Sequence, residues 1–429
     1  MKSRRRDFLK WAGFSGVGLA SGIVPPKSTR LTKNNSKSIF NENVVNMVEN
    51  STSLIGQYGP WATSLRGGKL PSLSFRNKSF IDINSWRKVA KSKLQERMSI
   101  PDIGHTPSVN IQKQYEFDGL HIEELTWQLP YGRPTEAILL KPLNAKGPLP
   151  GILAFHDHGG NKYFGTRKIT RTSDQQHPLM KTHQQEYYEG NAWANELAKR
   201  GYVVLVSDSF TFGSRRVMMQ DVPEHLSNGM NDKDPENPEH IKAYNEWAGH
   251  HEHIMAKSLF SAGTTWPGVF FAEDQKALDV LCARKDVDVS RIGCSGLSGG
   301  GLRTVFMGGL DPRIKCAIPV GFMTTWDDFA LNKSFTHTWM TYVPILPKEL
   351  DFPEILALRV PLATLVLNDS EDTLYTLPEM QKADHIIRAV YDKAKANEKY
   401  KCSFYPGPHK FDAKMQAEAF AWFDRWLKA

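Results

Sequence analysis

A serine hydroxyl attacks a carbonyl only when a base takes its proton, and that base needs a carboxylate to orient it. One serine of this 429-residue chain stands in a suitable context. Gly296-Leu297-Ser298-Gly299-Gly300 lies between a short apolar strand, Arg291 to Cys294, and a helix-like run, Leu302 to Met307. A G-x-S-x-G between strand and helix is the pattern of a nucleophile elbow, a turn so tight that the flanking residues must be small. It lifts the hydroxyl above the sheet edge. Glycine- and serine-rich turns are common, so Ser298 needs a base, an acid and an oxyanion site elsewhere.

In this topology the partners follow in the order serine, acid, histidine. Three histidines come after Ser298. His337 sits in an irregular stretch and His385 inside a helical run. His409 sits in Tyr405-Pro406-Gly407-Pro408-His409-Lys410-Phe411, directly after the last expected strand, where a base must hang to reach the elbow. The acid should follow the preceding strand, Leu362 to Leu367. Asn368-Asp369-Ser370-Glu371-Asp372 offers three carboxylates there. Asp372 is the favoured partner of His409 and Asp369 the alternative; the others would cap the turn or face solvent. An oxyanion needs two preorganised N–H donors. Gly299 supplies one. Asp157 or His158, in the loop His156-Asp157-His158-Gly159-Gly160, supplies the other.

Other residues suggest chemistry less specifically. His156 and His158, and the run His250-His251-Glu252-His253, have metal-ligand spacing, but neither matches H-E-x-x-H. His156 reads as a loop-orienting group and residues 250–253 as a polar helix face. The four cysteines show no C-x-x-C spacing and read mostly as buried thiols. No metal or organic cofactor is expected. Arg215 or Arg216, in Phe212-Gly213-Ser214-Arg215-Arg216, would pair with Asp208 or face a charged substrate unless the turn is simply solvated. Trp247, Trp266, Trp326 and Trp339 read as packing residues, with stacking on a sugar or aromatic substrate the alternative.

The elements that must position these groups alternate along the chain. Ile122 to Trp127 and Thr135 to Leu140 read as an antiparallel strand pair. Continuous apolar strands follow at 150–155, 202–206, 291–294, 316–320, 362–367 and 401–405, separated by helices at 191–200, 271–284 and 380–396. A helix at 413–427 closes the series. Such alternation implies an α/β domain with a mostly parallel sheet covered on both faces. That domain spans 111–429. Its insertion, at about 210–270, leaves the carboxyl end of a strand and is a candidate lid or substrate wall. Residues 51–110 read as an N-terminal helical extension, with a helix from Trp86 to Met98 capped by Asn84 or Ser85. Residues 25–50 read as a flexible linker.

The net charge is +8, and residues 1–37, with nine Lys or Arg against one Asp, hold all of it. The remainder is balanced, which argues against a nucleic-acid partner. Within the basic segment, Arg5-Arg6-Asp7-Phe8-Leu9-Lys10 resembles a twin-arginine export signal, and residues 1–24 are the expected signal peptide. The run from Trp11 to Val24 is too short and glycine-rich for a stable membrane span. The signal implies the twin-arginine export machinery as a partner during targeting, and a periplasmic or secreted protein.

Residues 110–429 resemble the α/β-hydrolase superfamily, and within it the secreted bacterial group described as acetyl-xylan-esterase-like or dienelactone-hydrolase-like. The resemblance rests on His156 to Gly165, Trp193 to Ala198, Phe212 to Arg216, Gly296 to Gly300 and Pro408 to Phe411. Dienelactone hydrolases carry a cysteine at the elbow. This chain has Ser298 there, with Cys294 four residues earlier on the strand, so ordinary ester hydrolysis is favoured. The resemblance implies a serine carboxylic-ester hydrolase working through an acyl-enzyme. Its substrate would be a small-molecule or oligosaccharide ester, such as an acetylated carbohydrate. The rival readings are a serine peptidase of the same fold and a non-enzymatic carbohydrate-binding protein.

Overall fold

Gly151-Ile152-Leu153-Ala154-Phe155 is apolar at every position because both of its faces are covered. In the computed structural model Ile152 and Ala154 point into one buried cluster, and Leu153 and Phe155 into another on the opposite face. Val204 and Val206 divide from Val203 and Leu205 in the same way. Side chains alternate along a strand, so a strand with two dry faces shows no polar period. The structure describes residues 53–68, 70–233 and 236–428. The expected export signal at 1–24 and linker at 25–50 lie outside them.

Nine strands form one sheet: β1 (Val109–Phe117), β2 (Leu120–Trp127), β3 (Thr135–Pro142), β4 (Leu149–Phe155), β5 (Val203–Ser207), β6 (Val287–Leu297), β7 (Ile314–Val320), β8 (Ala363–Asp369) and β9 (Tyr400–Tyr405). Their spatial order is β1-β2-β3-β5-β4-β6-β7-β8-β9. The pairs from β5 through β9 are parallel, and β1, β2 and β3 pair antiparallel at one side. The chain runs from β4 outward to β5 and then returns to the other side of β4 as β6. A crevice at such a switch point, beyond the carboxyl ends of the strands, is where sheets of this kind bind ligands.

Helices of six residues or more are α1 (Tyr58–Ser64), α2 (Ile83–Met98), α3 (Pro178–Tyr188), α4 (Trp193–Lys199), α5 (Pro238–Ser261), α6 (Trp266–Cys282), α7 (Gly299–Leu310), α8 (Phe352–Ala357), α9 (Leu377–Lys393) and α10 (Ala413–Leu427). None of the described helices is long and apolar enough to cross a membrane. Helix α2 begins at Ile83, with Asp82 as its cap, not Asn84 or Ser85; the Asp82 carboxylate accepts the Ser85 N–H at 2.6 Å. Trp86, Ala90, Leu94 and Met98 recur every fourth residue and enter the same core as the sheet face carrying Leu153 and Phe155. Thr265 caps α6 through the Gly268 N–H and also donates its hydroxyl to the Met98 carbonyl at 2.7 Å. Helix α2 is therefore packed into the same layer as this face of the sheet.

The insertion is packed as well. Ile241, Tyr244, Trp247 and Ala248 of α5 join Tyr163, Phe164 and Met180 in a third apolar cluster. Asn237 caps α5 by accepting the N–H groups of Glu239 and His240. This cluster seats α5 over the loop that follows β4.

Candidate active site

Strand β6 ends at Leu297 and α7 begins at Gly299, so Ser298 alone makes the corner, at φ 56° and ψ −118°. A non-glycine residue held in that region costs on the order of 1–3 kcal/mol, which the surrounding packing must offset. The glycines explain how the corner closes. A Cβ at Gly296 or at Gly300 would lie 2.4 Å from the Phe155 carbonyl oxygen. The elbow thus presses against the end of β4, and only hydrogen fits on either side of it. Ser298 donates its N–H to the Val320 carbonyl at 2.9 Å and accepts the first helical bond from Leu302.

The turn after β8 carries Asp372 and the loop after β9 carries His409. His409 Nδ1 and Asp372 Oδ2 are 2.6 Å apart. Asp372 is buried, and its other oxygen accepts the Leu374 N–H at 2.8 Å. A carboxylate accepts only, so the imidazole proton sits on Nδ1 and Nε2 is the basic nitrogen. His409 Nε2 is buried and has no hydrogen-bond partner among the described residues. Asp369, the alternative acid, turns elsewhere: its Oδ2 accepts the Lys410 N–H at 3.1 Å. Burial, with the charge of Asp372 adding to it, pushes the Asp369 carboxyl up to about 7. Asp369 is fully buried rather than facing solvent. His337 donates from Nε2 to the Leu374 carbonyl at 2.9 Å, and burial holds it down at about 4, so it stays neutral. His385 is exposed on α9.

Ser298, Gly299, His158 and His409 line one cavity of about 510 Å³. A Cβ at Gly299 would be 3.0 Å from the His158 nitrogen, so the two expected oxyanion donors stand side by side. The His158 N–H makes no hydrogen bond among the described residues. Its direction follows from the peptide that carries it. The Asp157 carbonyl accepts from Lys168 Nζ at 2.7 Å and lies 3.0 Å from His156 Nδ1. In a trans peptide the N–H points opposite to the C=O. Lys168 also holds the His158 carbonyl, at 2.9 Å. This lysine is wholly buried, and burial lowers it to about 8.

Of the two residues expected at the oxyanion site, His158 is therefore the one beside Gly299. Asp157 anchors the loop through its side chain. Its carboxylate accepts from the Tyr188 hydroxyl and lies 3.0 Å from His183 Nε2. Burial alone would raise the Asp157 carboxyl; the charges of His183 and Lys168 and the hydrogen bonds of His183 and Tyr188 reverse this and hold it well below the usual range. His156 is buried behind the loop, and burial, with Arg303 and Lys168 nearby, keeps it neutral.

Two expectations need correction. Residues 250–253 are not simply a polar helix face, because Glu252 is buried. It meets His158 Nε2 and Lys162 Nζ, each at 2.8 Å. Arg215 does not pair with Asp208: it forms a buried ion pair with Glu273 at 2.7 Å and caps the carbonyls of Tyr131 and Arg133. Asp208 accepts the N–H groups of Thr166 and Ser214 instead. Trp247, Trp266 and Trp326 are packing residues, while Trp339 is exposed. Cys294 is buried on β6, and all four cysteines are unpaired. The cluster Asp369, Asp372 and His409 has cation-like spacing, but its acids are committed to His409 and Lys410.

No family model matches the chain. In sequence it is similar to a protein of Bacillus subtilis (strain 168) that bears the name "Putative hydrolase YtaP", 26% identical over 309 residues, which cover 71% of this chain and 88% of that one. In structure it is similar to a "putative acetyl xylan esterase" from Bacteroides fragilis NCTC 9343, with a TM-score of 0.57, 18% identity and 81% of each chain covered. It is also similar to a glucuronoyl esterase from Solibacter usitatus, with a TM-score of 0.56, 14% identity, and 83% of this chain and 97% of that one covered. The chain has the α/β-hydrolase fold.

Proposed function

We propose that this protein is a serine carboxylic-ester hydrolase acting on esters of carbohydrates, such as acetylated polysaccharide fragments. The observation that carries the reading is the 2.6 Å Asp372–His409 contact, opening onto the cavity where Ser298 stands at the elbow. Ser298 Oγ attacks the acyl carbon and His409 Nε2 takes its proton. Asp372 holds the imidazole in that tautomer and stabilises the cation that forms. The oxyanion is received by the Gly299 and His158 N–H groups, which are fixed in place before substrate arrives. His409 returns the proton to the departing alcohol, then activates water to release the acid from Ser298.

The choice of sugar esters draws on the names of the similar structures and on the shape of the cleft. A second hollow of about 500 Å³, with Asn161, Thr182, Glu239 and Asn245 among its lining, shares Gly159, Gly160, Glu186 and Tyr187 with the catalytic cavity and runs between α3 and α5. It would take the hydroxyl-rich alcohol, leaving the apolar wall around Leu302, Phe322 and Met340 for a small acyl group. Among the described residues no Lys or Arg lines the catalytic cavity, which suits an uncharged acyl group. Arg5-Arg6-Asp7-Phe8-Leu9-Lys10 supports export by the twin-arginine route.

The test compares the protein with Ser298→Ala on p-nitrophenyl acetate, longer acyl esters, acetylated oligosaccharides and an amide analogue. Ester turnover abolished by the substitution is the expected result. Turnover that survives it would remove Ser298 as nucleophile. Preference for the amide would point to a peptidase, and no turnover of any substrate to a binding protein.

A further inference from the structure

Tyr244, Ala248, Glu252 and Ala256 form a four-residue stripe along the buried side of α5. A carboxylate on such a stripe is costly unless it is paired and hydrogen-bonded. Glu252 is both. One oxygen receives His158 Nε2 and Lys162 Nζ, each at 2.8 Å, and the other accepts the Trp339 N–H at 3.3 Å. Lys162 is itself only 3% exposed and lies over the Trp266 ring at 4.6 Å. Burial would raise the Glu252 carboxyl, yet the His158 hydrogen bond and the Lys162 charge hold it at about 2.

The His158 ring has one tautomer open to it. Nδ1 accepts the Gly160 N–H at 3.1 Å, so the proton sits on Nε2 and is donated to Glu252. The Phe212 ring meets the imidazole edge-on at 5.4 Å. The main-chain N–H of His158 stands beside Gly299. The Trp339 N–H belongs to the segment 336–341, whose Thr336, His337, Thr338, Met340 and Thr341 line the same cavity as Ser298. A single carboxylate of the insertion thus ties the loop carrying His158 to the 336–341 segment of the cavity wall.

We infer that Glu252 is a positioning residue for the oxyanion site, fixing the His158 N–H through the imidazole of the same residue. The inference rests on the reading of Ser298 as nucleophile. It gives the insertion a catalytic duty that is separate from covering the cleft. Lys162 keeps the carboxylate ionised, and Lys168 holds the loop from its opposite side.

The experiment uses the full chain with Glu252→Ala and Glu252→Gln. Glutamine keeps the volume and one acceptor for His158 but drops the charge that Lys162 answers. For p-nitrophenyl acetate, kcat should fall about 10- to 100-fold in the alanine variant, somewhat less than the loss on deleting an oxyanion donor outright. The glutamine variant should fall less. KM should hold within about threefold, because the His158 N–H bonds the oxyanion of the transition state and not the ground-state ester. A boronic acid that forms a tetrahedral adduct on Ser298 should lose affinity by the same factor as kcat/KM. A purely structural role would lower the thermal midpoint and leave kcat and boronate affinity unchanged, and that result overturns the inference. Should the Glu252 variants fail to fold, His158→Ala keeps the main-chain N–H while removing the imidazole that Glu252 holds, and an unchanged kcat there counts equally against it. Ser298→Ala separates the two claims. If it is inactive while the Glu252 variants match the unmodified protein, only the positioning role falls; if it is active, the nucleophile assignment falls and takes the positioning role with it.

Discussion

Asp369→Asn should make the protein more stable in mild alkali while leaving it active. Asp369 is fully buried, accepts one N–H from Lys410, and has an Oδ1 with no partner among the described residues. Burial and the neighbouring Asp372 raise its carboxyl from 3.8 to about 7. Between those values the folded protein keeps a proton that the unfolded chain has released. Stability therefore declines as pH rises through that window, and the full cost is present above about 7. The window is roughly three pH units wide, and each is worth about 1.4 kcal/mol, so the cost approaches ~4 kcal/mol at its ceiling. Asparagine cannot ionise and keeps an oxygen for the Lys410 N–H. Denaturant unfolding at about pH 8 should show Asp369→Asn more stable by about 2–4 kcal/mol, with the difference vanishing near about pH 4. Its kcat/KM for p-nitrophenyl acetate should stay within about fivefold, a change of ~1 kcal/mol, because Asp372 is the residue that holds His409. No gain at the higher pH would refute the account of the buried proton. Collapse of activity would make Asp369 the orienting acid and refute the reading of the turn.

Asp372→Asn should lower kcat by about 10⁴, since an amide N–H facing Nδ1 forces the imidazole proton onto Nε2, the atom that must accept from Ser298. A loss below about tenfold in a p-nitrophenyl acetate assay would argue that another group orients His409. Arg5→Lys/Arg6→Lys should hold the protein in the cytoplasm of an expressing bacterium, and equal periplasmic recovery on fractionation would count against the twin-arginine route.

The proposed triad could be sought at strand ends: Ser298 follows β6, Asp372 follows β8 and His409 follows β9. Apolar runs marked those strands, and their ends marked the turns. Spacing alone could not separate Asp369 from Asp372, because both follow β8 and the choice depends on which carboxylate points at the loop after β9. Strand β1 gave no apolar signal, since nearly all its residues are exposed at the edge of the sheet. Helix α3 was missed for a related reason. It starts at Pro178 and buries only Met180, His183, Gln184 and Tyr188, two of them polar.

The support of the proposed oxyanion loop was the least visible part. Lys162 and Lys168 come from the loop after β4, His183 and Tyr188 from α3 and Glu252 from α5, three segments with no fixed spacing between them. One signal was available. Glu252 falls in register with Tyr244, Ala248 and Ala256, and a lone carboxylate on the buried stripe of a helix asks for a buried cation.

Helix α2 is tied to segments made much later in synthesis. Arg87 donates to the Leu358 carbonyl at 3.0 Å, Lys91 to that of Leu310 at 3.1 Å, and Arg97 pairs with Glu349 at 2.6 Å. Trp86 stacks on Phe75, its near neighbour in sequence, but the Met98 end of the stripe meets Thr265, so that end lacks its partner until more than half the chain has been translated. Contacts between residues so far apart in sequence form slowly. During that interval the nascent chain carries the apolar end of this helix before the segment that covers it has been made. A truncation starting after Met98 would leave the matching face of the finished sheet layer bare instead.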